Sequence, residues 1–208
     1  MLLNRIEDLV IDWMQILEAV GTAFGLAIFG SLTQLYKKHK QLKKKKRTLE
    51  AHTETQKAIV EIYSIIDTIL KNTKADCAYI FHSHNGDGLP NIGKPYKVSA
   101  LYGTNLVSED TKNRYQNIVV DERYTRMLLE VFEKKGKYVF DVKNEPPGYL
   151  KNVYLSEGVQ HSIIYFISVK ETGVVFMSVS THDDEFFTER GLALIETEIN
   201  RIKAIFNE

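Results

Sequence analysis

Residues 161–169 (HSIIYFISV) and 173–180 (GVVFMSVS) flank the short turn Lys170-Glu171-Thr172, and this pair decides the fold. Both runs are rich in β-branched and aromatic residues, and so short a separation reads as a β-hairpin. Upstream, residues 77–82 (CAYIFH) read as a strand that ends at the turn Asn85-Gly86-Asp87-Gly88, and residues 96–102 (YKVSALY) as the next strand. Residues 124–132 read as a helix stopping at Gly136. Residues 137–142 (KYVFDV) read as a strand ended by Pro146-Pro147-Gly148. The order is helix, two strands, helical region, three strands, helix. An α/β (α+β) domain over residues 75–208, an antiparallel sheet with flanking helices, satisfies that order.

The bracketing helices are amphipathic. Residues 48–74 contain no Gly or Pro and carry Ile59, Ile62, Ile66 and Ile69 at 3-4-3 spacing, with Tyr63 and Leu70 beside them. This stripe packs on its own domain or on a sister helix. Residues 188–206 place Leu192, Ile195, Ile199, Ile202 and Phe206 at the same spacing, with Thr188 as N-cap and Glu189 in the first turn. The two helices are expected to pair and to support a homo-oligomer, a four-helix bundle across a dimer.

The other end of the chain is different. Residues 19–36 (AVGTAFGLAIFGSLTQLY) carry no charge and span roughly 27 Å as a helix, close to the ~30 Å hydrocarbon core. With Ile16 and Leu17 the expected transmembrane helix is 16–36. Residues 37–47 (KKHKQLKKKKR) follow with eight cations and no anion, whereas the preceding flank is acidic. Cations after the apolar run mark its cytoplasmic side, so the expectation is a single-pass protein of the cell inner membrane with its C-terminal domain cytoplasmic. Lys37, Lys38, Lys43, Lys44, Lys45, Lys46 and Arg47 are the candidates for lipid headgroup contact in the bilayer. Residues 1–15 place Leu3, Ile6, Val10 and Trp13 at helical spacing, either as an amphipathic interfacial segment or as a continuation of the membrane helix. Gly21 and Gly25 form a GxxxG pair compatible with self-association.

Net charge over the 208 residues is formally zero, with 27 cations and 27 anions. Because the basic residues are concentrated at 37–47, no nucleic-acid partner is expected. The one cysteine, Cys77, rules out an intramolecular disulfide.

From residue 50 to 208 the order of elements resembles a GAF domain. "LSEGVQHSIIYFI" is similar to its Gly-Val turn and central strand, "GVVFMSVS" to the next strand, and "FFTERGLALIETEINRIKAIF" to its closing cap and helix. The 48–74 helix with "ADCAYIFHSHNG" resembles its opening helix and first strand. PAS-like sensory domains share part of this pattern, and "YIFHSHNGDGLP" with "YKVSALY" resembles small phage-encoded proteins. The GAF resemblance implies a sensory or regulatory module that binds a small molecule or dimerises around an empty pocket. Cys77 stands at the start of the first strand and gives no support for a covalently attached bilin. The family's cyclic-nucleotide motif is not recognisable, so no cofactor is identified.

Candidate ligand-binding residues are His82, His84, Asn85, Tyr102 and His161. His82 and His84 point to one face of a strand and, with His161 or Asp87, form a possible ligand set for a metal; hydrogen-bonded polar residues at a strand end are the preferred reading, and no metal is expected. Asn85-Gly86-Asp87-Gly88 reads as a tight turn or as a backbone anion nest. Asp183, Asp184 and Glu185 read as loop acids before a helix N-terminus. Tyr96, Tyr102, Tyr115, Tyr124, Tyr149 and Tyr154 are pocket-lining or core tyrosines. No nucleophile–base arrangement is readable, so catalysis is not expected. The expected function is a membrane-anchored regulatory module signalling to a separate output protein. The alternative is a structural scaffold in a membrane or phage-associated assembly.

Overall fold

The computed structural model describes the backbone of residues 2–85, 92–107 and 111–207, and the side chains of 36–85, 92–107 and 113–207. The chain forms two compact units, Met1–Gln56 and Lys57–Glu208. Helix α1 (Leu2–Asn72) runs without a break through the segments drawn above at 1–15, 16–36, 37–47 and most of 48–74. In the first unit every side chain from Tyr36 to Gln56 is exposed, the basic block included. Thr48, Thr53 and Thr55 donate their hydroxyls to the carbonyls four residues back, at 3.0, 2.9 and 2.9 Å. The side chains of the expected membrane span lie outside the described residues, Tyr36 excepted. Among the described residues, no helix is long and apolar enough to cross a membrane.

The second unit is built on an antiparallel sheet of β1 (Cys77–His84), β2 (Lys97–Asn105), β3 (Ile118–Val119), β4 (Lys137–Asp141), β5 (His161–Lys170) and β6 (Gly173–Thr181). The strand order is β3-β2-β1-β6-β5-β4. Helices α2 (Thr111–Arg114), α3 (Glu122–Lys134), α4 (Tyr149–Glu157) and α5 (Glu189–Asn207) complete it. The hairpin β5–β6 turns through Glu171 and Thr172, because Lys170 already pairs with Gly173. This is one residue tighter than the sequence implies.

Alternation along the central strands divides the core into two layers. Ala78, Ile80, Ile163, Tyr165, Val175, Met177 and Val179 face Ile62, Ile65, Ile66 and Ile69 of α1 and Ile195, Ile199 and Ile202 of α5. The isoleucine stripe of α1 therefore packs on its own domain. On the opposite sheet face, Tyr79, Phe81, Val98, Ile164 and Phe176 pack against α3 and α4. Thr188 caps α5 as expected, its Oγ1 accepting from the Gly191 N–H at 3.1 Å.

One irregularity redirects a candidate residue. Opposite β1, Ile80 pairs with Tyr102 and Phe81 with Ala100, so Leu101 is an extra residue in β2. A bulge of one residue inverts the faces of everything beyond it. Val98 and Ala100 face the α3/α4 layer. Tyr102 is turned to the α1/α5 layer, where its ring meets Tyr63 edge-on at 6.1 Å.

Candidate functional site

The α3/α4 face holds the most site-like geometry. Both helices start beside one carboxylate. Asp121 Oδ1 accepts from the Tyr124 N–H at 2.8 Å, and Oδ2 from the Tyr149 N–H at 2.7 Å. N-terminal helix N–H groups lack intrahelical acceptors, so this single side chain anchors two helix starts at one point. Helix α4 then runs to Gly158, whose left-handed backbone (φ 78°) ends it. In the sequence Pro146-Pro147-Gly148 reads as a strand end, whereas in the structure α4 begins directly after it. Leu150, Val153 and Tyr154, spaced 3 and 4 from the first and followed by Gly158, are the signal that identifies it.

Beneath α4 lies a chamber of about 20 Å³, room for roughly one water molecule. Tyr79, Phe81, Tyr115, Tyr124, Tyr154 and Glu157 are among the residues that line it. Its floor is a cluster of hydroxyls. Ser162 and Ser178 each lie 3.1 Å from the Tyr154 hydroxyl and 2.9 Å from one another, and Ser180 lies 3.0 Å from Ser162. Strand alternation explains the grouping, since Ser178 and Ser180 share one face of β6 and Ser162 pairs with Ser180 across β5. All three serines are buried, and mutual hydrogen bonding is what makes that burial tolerable. At the chamber wall the Tyr115 hydroxyl donates to the Glu157 carboxylate. Burial first, and this bond second, push the Tyr115 phenol above its ordinary value. Burial also pushes the Cys77 thiol up to about 12, with Asp76 and Glu157 adding to it.

Outside the chamber, and sharing Tyr124, Tyr149 and Leu150 with it, is an open cleft of about 230 Å³ between α3, β4 and the start of α4. Its floor includes the buried Met127 and Phe140. Arg123, Arg126, Glu130, Glu145 and Lys151 form the rim. Most rim charges are engaged: Arg126 bonds Glu122 at 2.7 Å, Lys134 bonds Glu130 at 2.7 Å, and the Tyr138 hydroxyl donates to Glu145 at 2.8 Å. Arg123 makes no ion pair among the described residues. An apolar floor with a few charged groups at the mouth suits a small amphipathic molecule.

The residues singled out from sequence lie elsewhere. His82 and His84 stack at 5.4 Å at the end of β1, with His84 Nε2 2.9 Å from Ser99 Oγ and His82 Nε2 3.2 Å from Thr172 Oγ1. Burial lowers both imidazoles, with the neighbouring His84 and Lys97 adding to it, respectively. Asn85 is buried beside them. His161 pairs with Thr181, and His82 with Val175, so the two histidines sit roughly 20 Å apart along β6. His161 Nε2 instead meets the Asp184 carbonyl at 3.0 Å. None of the five lines the chamber or the cleft. Asp87 lies outside the described residues; among those described, no three His, Cys, Asp or Glu side chains converge as metal ligands. Four of the six tyrosines read as pocket or core (Tyr115, Tyr124, Tyr149 and Tyr154) do line the chamber. The loop acids hold Lys74, with Asp183 at 3.1 Å and Glu185 at 2.5 Å.

No family model and no curated protein matches the sequence. Solved structures do match the fold. The GAF domain region of a protein from Geobacter sulfurreducens PCA, assigned to the membrane by inference, covers 76% of this chain and 98% of its own, at 14% identity and a TM-score of 0.54. The GAF domain of a two-component sensor histidine kinase from Bacillus halodurans covers 70% and 90%, at 12% identity and 0.50. A GAF domain from Synechocystis, captured in its photoproduct state, covers 70% and 90%, at 10% identity and 0.52. The chain has a GAF-like α+β fold.

Proposed function

We propose that this protein is a membrane-anchored GAF-like regulatory module that takes a small amphipathic ligand in the cleft between α3, β4 and α4. The observation that carries the reading is the 230 Å³ cleft itself, apolar at its floor and charged at its rim, opening beside the tyrosine-packed chamber. Ligand entry there bears directly on α4, which both spaces share through Tyr149 and Leu150. The anchor is the 16–36 segment, held with the C-terminal domain in the cytoplasm by the Lys37–Arg47 cations, and the output is a separate protein partner. The GAF neighbours support the regulatory part of this reading by fold alone.

A thermal-shift screen of small metabolites on the full chain in detergent tests it. A binder raises Tm in proportion to the logarithm of its concentration, and Met127→Trp, which fills the cleft floor, abolishes the shift. A library with no stabilising compound, or a shift that survives Met127→Trp, overturns the cleft assignment.

A second reading is a ligand-free scaffold that self-associates through α1 and α5. The chamber favours it, because about 20 Å³ leaves no room for a metabolite. Sedimentation of the full chain separates the two: a concentration-independent monomer removes self-association.

A further inference from the structure

The imidazole of His182 joins three parts of the second unit. Its Nδ1 lies 3.0 Å from Asp76 Oδ2, in the turn after α1, and its Nε2 lies 3.0 Å from the carbonyl oxygen of Glu157, the last residue of α4. Its backbone N–H donates to the same Asp76 oxygen at 2.8 Å. The residue stands immediately after β6 and its side chain is 20% exposed. Asp76 is itself fixed, its N–H donating to Ser180 at 2.9 Å and its carbonyl accepting from Leu106 at 2.9 Å.

Both groups facing the ring are acceptors. A carboxylate and a peptide carbonyl offer no proton, so the two contacts are satisfied together only when both ring nitrogens carry hydrogen. The neutral ring satisfies one. The carboxylate, being charged, retains the remaining N–H, and the Glu157 carbonyl is the one released. That carbonyl is an orphan acceptor at a helix C-terminus, where a cation is favoured. The other charges nearby are accounted for: the Glu157 carboxylate accepts from Tyr115, and Lys74 pairs with Asp183 and Glu185. Asp184 contributes a further carboxylate from the same loop.

We propose that His182 is a proton-dependent latch that holds the C-terminal end of α4 over the chamber and ties it, through Asp76, to the end of α1. The inference rests on the reading of α4 as one wall of the ligand cleft. It gives that wall a release that needs no ligand, and a route from α4 to the C-terminal end of α1.

Hydrogen exchange of the full chain in detergent micelles, at pH 5.5 and pH 8.5, reads the latch directly. After correction for intrinsic exchange, protection of the amides of Gly158 and Val159, which bond Leu155 and Tyr154 of α4, falls about tenfold at the higher pH. His182→Gln loses this pH dependence, because an amide has no proton to gain. Asp76→Asn keeps the fold's hydrogen bonds but removes the charge that claims the remaining N–H, so the fall in protection at the higher pH shrinks. Selective ¹⁵N-histidine spectra show both ring nitrogens protonated at pH 5.5. A neutral ring at that pH, a pH dependence that survives His182→Gln, or an undiminished fall in protection in Asp76→Asn overturns the latch. Because no ligand enters the measurement, a ligand screen that fails leaves these outcomes separately readable.

Discussion

Asp121 accepts the Tyr149 N–H at 2.7 Å with the oxygen it does not use for Tyr124, so one carboxylate starts both α3 and α4. Replacing it with Ala removes two caps and costs about 2 kcal/mol, a fall of about 4–8 °C in Tm. Asn keeps one acceptor oxygen and offers N–H groups where the other stood, so Asp121→Asn costs about half as much. Thermal unfolding of the two variants checks this. Equal losses for both would show that only one of the two caps contributes.

Gly103 is fixed by close approach to its neighbour strand. A Cβ built there lies 2.1 Å from Tyr79 Cδ1 and 2.7 Å from the Ala78 carbonyl oxygen. Tyr79 lines the chamber, and the backbone oxygen cannot move aside. Gly103→Ala is therefore expected to destabilise by about 2–3 kcal/mol, read by urea unfolding as a lower midpoint with an unchanged slope. A neutral substitution would mean that β2 and β1 separate there at little cost.

The Cys77 thiol is pushed from 9.0 to about 12, chiefly by burial. The folded state thus holds its proton more tightly than the unfolded chain. Stability contributed by this group is complete below pH 9.0 and is lost as pH rises from there toward 12, by about 1.4 kcal/mol per unit. Between pH 9 and pH 10 the native chain should lose about 1 kcal/mol more than Cys77→Ala, measured by denaturant unfolding at each pH. The same burial predicts that a thiol reagent at pH 8 labels Cys77 only after unfolding. Rapid labelling of the folded chain would contradict it.

The run Lys43–Arg47 is exposed around the whole circumference of α1, since five consecutive helical residues cover more than one turn. If this cationic collar sets orientation, neutralising these five residues moves the C-terminal domain across the membrane in a fraction of molecules. Protease protection of intact cells and of inverted vesicles measures it. Unchanged placement would assign the orientation to other residues.

The β-branched and aromatic runs 161–169 and 173–180, and the isoleucine spacing of 59–69 and 195–202, sufficed to establish an antiparallel sheet between amphipathic helices. These signals are local: such runs favour a strand whose faces are both buried, a helix buries every third or fourth residue, and both are written in the chain. Thr188 as a cap was legible for the same reason. Tyr115, Tyr124, Tyr149 and Tyr154 were legible only as aromatic residues of a pocket or core, and Tyr79, which lines the chamber with them, was not singled out. Tyr102 was not, because Leu101 bulges and sends every later residue of β2 to the opposite face, and a bulge leaves no mark on the hydrophobic pattern. His82 and His161 share a residue type, and only the register of β6 shows that they stand at opposite ends of it. Ser162, Ser178 and Ser180 read as isolated polar residues in apolar strands until pairing brings them onto Tyr154. Sequence alone determines the central strands, the two terminal helices and the cationic run, which depend on neighbours along the chain. The chamber, the shared cap at Asp121 and the bridge at His182 join residues 16 to 106 positions apart, and only tertiary packing decides those.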